Sequence, residues 1–204
     1  MRCWSAMAPP LTRESVIEAA RRSIVADGLE AVSLRKLAAS LGVTAPALYA
    51  YVDDKRDLLR AVAEREFQRL ADAFERIDDP DPVERMRQMS RAYVEQALAE
   101  PELFRTMFQF SPDLAIGGST GAEDPLATAV FDLALGSVVE AIDSGALRPA
   151  EPVTVALTMW SATHGVADML LMGFPFDEST RRMLTDSVID TVIAGLAIPD
   201  PWRP

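Results

Sequence analysis

Apolar residues recur at three- and four-residue intervals along almost the whole chain, and nowhere do they alternate between paired turn residues as strands would require. That periodicity predicts an all-α fold, because each segment satisfies its own backbone and must bury one stripe against its neighbours. The punctuation divides the chain into about nine helices. A first runs from the cap Thr12 to Gly28, with Val16, Ile17, Ala20 and Ile24 on one face. A second runs from Ser33 to Gly42, and a third from Thr44, with Pro46 in its first turn, to Tyr51 or Val52. Asp54 and Asp57 open a long fourth helix bearing Leu59, Val62, Leu70, Phe74 and Ile77, which stops at Asp78-Asp79-Pro80-Asp81-Pro82. Asp81, Pro82 and Glu84 read as a capping box for a fifth, carrying Met86, Met89, Tyr93 and Ala97. Pro101 starts a shorter sixth with Leu103, Phe104, Met107, Phe108 and Phe110. Residues 111–124 read as a mobile loop, and the last three helices fall near 125–143, 151–172 and 177–197.

Charge divides the chain unevenly. The net charge of −11 argues against a phosphate backbone as partner, since that affinity comes from cations displacing condensed counterions. Residues 1–60, however, hold nine Lys or Arg against seven Asp or Glu, and residues 61–204 hold eleven against 24, for net charges of +2 and −13. A mildly basic head on an acidic body can bind DNA at one end. No apolar run approaches the roughly 18 to 20 residues of a spanning helix, and residues 1–7 lack the apolar core of a signal peptide. The lone cysteine, Cys3, permits no intrachain disulfide, so a cytoplasmic protein without membrane contact is expected, starting at Met1 or Met7.

The stretch 33–49 is the first to carry a function. Two short helices that cross steeply need a small residue at the contact, here Ala38, and a left-handed residue to end the first, here Gly42. Val43 and Leu48 pin the second helix, which leaves Thr44, Ala45, Ala47 and Tyr49 near the exposed end that a helix-turn-helix presents to the major groove. Helical hairpins without DNA function share this spacing. Lys55, at a helix N-terminus, opposes the dipole by about 0.3 to 1 kcal/mol, a cost offset if a phosphate lies opposite both.

From Val32-Ser33-Leu34-Arg35-Lys36-Leu37-Ala38 through Gly42-Val43-Thr44-Ala45-Pro46-Ala47-Leu48-Tyr49 to Lys55 and Asp57-Leu58-Leu59, the chain resembles the DNA-binding signature of the TetR family. The resemblance spans residues 12–60. It implies that Ser33 and Arg35 touch phosphate or base, that Thr44, Ala45, Pro46 and Ala47 face the bases, and that Tyr49 and Lys55 clamp the backbone. Tyr51 stands where a His or Tyr is usual, and Val52 where Phe is usual. Asp53 and Asp54 replace a commoner neutral pair, which implies modest affinity per half-site. The implied partners are double-stranded operator DNA, a small-molecule effector and a second copy of the chain, paired through its last two helices. The implied organisation is a tail at 1–11, a head at 12–60, a regulatory and dimerisation domain at 61–198 and a tail at 199–204.

Trp160-Ser161-Ala162-Thr163-His164-Gly165 is similar to the Trp and His-Gly signature of one regulatory subgroup. His164 and Asp168 share a helical face, but with no second His and a cysteine only in the tail the pair does not complete a metal site. A packed or interface histidine and a ligand contact remain open for His164. Nine Met and the aromatics of the body suit either a core or an adaptable pocket for an apolar effector. The expected lining is Met86, Met89, Tyr93, Phe104, Met107, Phe108, Trp160, Thr163 and His164. No P-loop, GxGxxG or nucleophile–base pair is present, so neither an enzyme nor a cofactor is expected. The expected function is a regulator, in most of the family a repressor, that leaves a palindromic operator when the effector binds.

Overall fold

A computed structural model describes residues 10–110 and 125–197. Among them lie nine α-helices and one 3-10 turn, with no strand beyond an isolated bridge between Leu147 and Ala197. No helix among the described residues is long and apolar enough to cross a membrane. The readings made for the first nine residues, for 111–124 and for the last seven fall outside the described residues.

Four helices make the head. In α1 (Arg13–Asp27), Thr12 Oγ1 accepts the Ser15 N–H at 3.1 Å and Ser15 Oγ accepts the Thr12 N–H at 2.9 Å, so two orphan donors are satisfied reciprocally. Gly28 ends the helix at φ 81°. A 3-10 turn, Leu29–Ala31, leads into α2 (Leu34–Ser40) and α3 (Ala45–Leu48). Both are shorter than the sequence predicts. Gly42, at φ 71°, reverses the chain so that the Val43 N–H reaches back to the Ala38 carbonyl at 2.9 Å. The Leu48 carbonyl receives both the Tyr51 and the Val52 N–H, at 2.9 and 3.1 Å, and this closes α3 as a turn. The expected extension to Tyr51 or Val52 gives way because Val52, 2% exposed, must turn into the head core with Leu48 and Leu58.

From the cap Asp54, whose carboxylate takes the Asp57 N–H at 2.7 Å, α4 (Lys55–Glu75) runs unbroken out of the head into the body. Leu58, Leu59 and Val62 belong to the head core, while Phe67, Leu70 and Phe74 belong to the body. The head core also takes in Leu103 of α6 (Pro101–Phe110), so the two halves share buried side chains rather than meeting at a linker.

The body is completed by α5 (Pro82–Ala99), α7 (Pro125–Asp143), α8 (Pro152–Leu171) and α9 (Glu178–Leu196). The capping box expected at α5 does not close. Asp81 takes the Val83 N–H at 2.9 Å, while Glu84 turns to Arg87 and Arg91. Helix α4 packs on α6 and α7, and α5 packs between α7 and α8, with α9 against α5 and α8. Each large apolar side chain buried in this stack contributes about 1.5 to 3 kcal/mol.

Candidate functional site

The head presents its expected contacts unequally. Arg35, Thr44, Pro46 and Tyr49 are exposed, and Tyr49 keeps 57% of its surface in water. Ser33, Ala45, Ala47, Tyr51 and Lys55 are half-buried. Tyr51 is tied down through its backbone, since the Arg13 guanidinium donates to its carbonyl and pairs with Asp57 at 3.3 Å. Partial burial raises the Asp57 carboxyl, but Arg13 and the Asp53 N–H outweigh it and hold its pKa below the ordinary carboxylate range.

Pairing is uneven among the cations: Arg13, Arg21 and Arg22 of the head are bridged, and Arg76, Arg148 and Arg181 of the body form no salt bridge among the described residues. In the body, Arg85, Arg87, Arg91, Arg105 and Arg182 are each bridged to a carboxylate. In the head, Arg35, Lys36, Lys55 and Arg56 form no salt bridge among the described residues. Four unpaired cations on one end of an acidic chain are available to phosphate. Lys36 and Arg56 were absent from the expected contacts. For Lys36 the signal was present, since no acid stands three or four residues from it or from Arg35. Lys55 and Arg56 also border an open cleft against Gln109 and Phe110 of α6.

Behind the head, four charges join α1, α4 and the α5–α6 junction. Arg21 donates from Nε to Glu66 at 2.7 Å and pairs with Glu100, while Arg69 reaches Glu100 at 3.1 Å and Glu66 at 3.5 Å. Glu66 is 1% exposed, so its charge depends on these partners. Burial works against the Arg21 cation, and the two carboxylates more than offset it, leaving its pKa raised. Gln96 extends the group by donating to the Glu66 carbonyl at 3.1 Å and to Met107 Sδ at 3.6 Å.

A cavity of about 80 Å³ opens among α4 to α8. Of the expected lining, Met86, Met89, Tyr93, Phe108, Trp160 and Thr163 border it. Phe104, Met107 and His164 stand behind that wall, Phe104 and Met107 as buried core. The sequence reading missed the contributions of α4 (Phe67, Leu70, Phe74) and of α7 (Val130, Phe131, Ala134, Val138), with Ser90, Ala156 and Met159. The α4 stripe was visible, but periodicity says that a face is buried and not what lies across from it.

His164 packs against the outer side of this wall, its ring 4.8 Å from that of Phe108 and 5.7 Å from that of Phe104. Trp160 Nε1–H donates to Tyr93 Oη at 3.2 Å, and Tyr93 Oη lies 2.7 Å from His164 Nδ1. An indole only donates, so His164 Nδ1 is the acceptor open to the Tyr93 proton, and His164 Nε2 lies 3.5 Å from Asp168 Oδ2. Burial pushes the Tyr93 hydroxyl well above its ordinary range. No group of three His, Cys, Asp or Glu able to hold a metal occurs among the described residues.

Two family profiles match the chain. Residues 16–62 match the bacterial regulatory proteins of the tetR family, and residues 86–192 match the tetracyclin repressor-like C-terminal domain. An uncharacterized HTH-type transcriptional regulator of Mycobacterium tuberculosis is 29% identical over 185 residues, which is 88% of this chain and 79% of that protein. A solved protein of unknown function from Rhodococcus sp. RHA1 superposes with a TM-score of 0.77 at 28% identity, covering 95% of this chain and all of that one. AibR, solved in complex with isovaleryl coenzyme A and operator DNA, shares the fold with a TM-score of 0.61 at 19% identity, over 88% of this chain and 96% of its own.

Proposed function

The chain belongs to the TetR family of bacterial regulatory proteins, and from that membership we propose that it is a homodimeric repressor released from a palindromic operator by a small apolar molecule. It is a DNA-binding transcriptional regulator and not an enzyme. The observation that carries the proposal is the continuity of α4, which begins with Lys55 beside the recognition helix and ends with Phe67, Leu70 and Phe74 in the cavity wall. A molecule that displaces those rings moves the helix that carries the head. AibR, of the same fold, is seen with both an acyl-coenzyme A and operator DNA, which supports the pairing of the two binding events.

The contacts follow the geometry of the head. Arg35, Ser33, Lys36, Tyr49, Tyr51, Lys55 and Arg56 hold phosphates, and Thr44, Ala45, Pro46 and Ala47 face base edges. The dimer forms through α8 and α9, whose outward faces carry Ser161 and Gly165, and Met183, Ser187 and Ala194. Small residues let helices approach, and Met172, Phe174 and Met183 supply exposed apolar surface beside them. Half-site centres lie about 34 to 36 Å apart, so a modest swing of α4 in each copy ends simultaneous engagement. The effector must favour the DNA-incompetent state by about 5.5 kcal/mol to drive occupancy from 99:1 to 1:99. A DNA partner places the protein in the cytoplasm.

Selection of bound sequences from random duplex DNA tests the reading. Recovery of a palindrome with half-sites about one helical turn apart supports it, and an absence of enrichment at low salt removes DNA from the function. A promoter fusion then separates a repressor, whose deletion raises expression, from an activator.

A further inference from the structure

On the reading that the α4–α8 cavity receives the effector, we propose that this effector is a neutral molecule of about one substituted ring, apolar except for a single hydroxyl or carbonyl that meets the Ser90 hydroxyl. Among the described residues that line the cavity, none carries a charged side chain. Arg85 comes close to that side of the bundle, at 3.4 Å from Ser137 Oγ, but it is held by Glu140 and the Asp79 carbonyl and does not border the cavity. His164 also stands outside, with Nδ1 committed to Tyr93 and Nε2 directed at Asp168. Residues 111–124 contain no Lys, Arg or His, so that stretch holds no cation for the cavity either. A carboxylate or phosphate carried inside this wall would therefore be buried against described residues that offer no counter-ion, which favours a ligand whose buried part is neutral.

Among the described lining residues, the hydroxyl proton held least firmly is that of Ser90. Trp160 spends its proton on Tyr93, and Tyr93 spends its own on His164. Thr163 donates to the Met159 carbonyl at 2.8 Å. With the Thr163 proton on the Met159 carbonyl, the 3.2 Å contact leaves Ser90 as the donor to Thr163 Oγ1, a long bond that its proton can leave for a ligand at little cost while its own lone pairs stay open. The remaining wall is aromatic and thioether surface. At about 80 Å³ the cavity is near half the roughly 150 Å³ of an engineered cavity that accepts benzene. A ring therefore enters when Met86, Met89 or Met159 changes rotamer, whereas a larger body would have to part the helices.

Titration calorimetry of the full-length protein with toluene, phenol and benzoate at pH 7 tests the assignment. Phenol is expected to bind about 3- to 10-fold tighter than toluene, the ratio one hydrogen bond provides, and more than about 100-fold tighter than benzoate. Ser90→Ala should abolish the preference for phenol over toluene while leaving toluene binding intact. Equal binding of benzoate and phenol overturns the neutral-ligand class, and a phenol preference that survives Ser90→Ala overturns the assignment of Ser90; either leaves the cavity as effector site. Binding that persists undiminished after Ala134→Leu fills the cavity, or binding of none of the three probes, removes the cavity itself and with it the reading on which the proposal rests.

Discussion

Tyr49 and Lys55 do different work from the side chains around them, because neither contributes much to the head core. Tyr49 exposes a large apolar ring to water, and the Lys55 charge sits against the α4 dipole with no carboxylate bridged to it. On the proposed contacts, both costs are recovered on a phosphate backbone. Lys55→Ala is therefore expected to weaken every DNA sequence alike and to reduce the slope of log K against log salt by about one, with Lys36→Ala behaving similarly; an unchanged slope removes the residue from the phosphate contacts. A larger side chain at Ala47 should instead change which sequences are selected. Arg35 and Lys36 could be read as free cations from their neighbours in sequence. Arg56 could not, since Asp53 stands at pairing distance three residues before it, and only the structure places Asp53 in a turn whose N–H is bound to Asp57.

At the scale of elements, α3 has only four helical residues, too few to stand by propensity, and is held by the burial of Leu48 and by the turn that follows. Leu48→Ala should cost about 2 to 5 kcal/mol in chemical denaturation and abolish operator binding, whereas Thr44→Ala, which removes no side-chain cap, should change stability by less than about 0.5 kcal/mol. Helix α9 is anchored differently. Asp177 caps it by accepting the Thr180 N–H at 2.8 Å, and that bond together with Ser179 holds its carboxyl below the ordinary range. A lowered folded-state pKa gives stability that is complete above the unfolded value, near 4, and is lost as pH falls through the folded value. Asp177→Asn keeps the cap but cannot titrate, so the thermal midpoint should be nearly unchanged at pH 7 and fall less steeply than in the parent between about pH 4 and pH 2. Equal slopes would locate the acid sensitivity elsewhere.

Across the whole molecule, head and body are joined by the α4 rod, by Leu103 of α6 in the head core and by the Arg21–Glu66–Arg69–Glu100 group. A buried carboxylate shared by two arginines is a poor source of net stability but a costly one to break. Glu66→Gln is expected to destabilise by about 2 to 4 kcal/mol in urea unfolding, less than a fully orphaned charge because Arg21 retains Glu100. A double-mutant cycle with Glu100→Gln should show coupling of about 0.5 to 3 kcal/mol, and strict additivity would mean that the four charges do not act as one unit. Since Gln96 ties the same group to Met107, whose helix carries Phe108 in the cavity wall, the network gives a further route by which the cavity touches α1.

The number of helices and their order followed from apolar spacing and caps alone, because both are local: a stripe every three to four residues and a Gly or Asp at its end leave a segment few alternatives. The head was legible for the same reason, being a run of contiguous residues whose spacing encodes its own crossing. The cavity was legible only in part. Tyr93, Phe108 and Trp160 could be named because they stand out in composition, but Phe67, Phe131 and Ala134 read as ordinary core, and Phe104 and Met107 as pocket, until packing decided which side of the wall each took. Which face of α7 lies across from α4, and which hydroxyl is left with a proton to give, depend on contacts between residues far apart in the chain. No local pattern carries that information; the tertiary structure does.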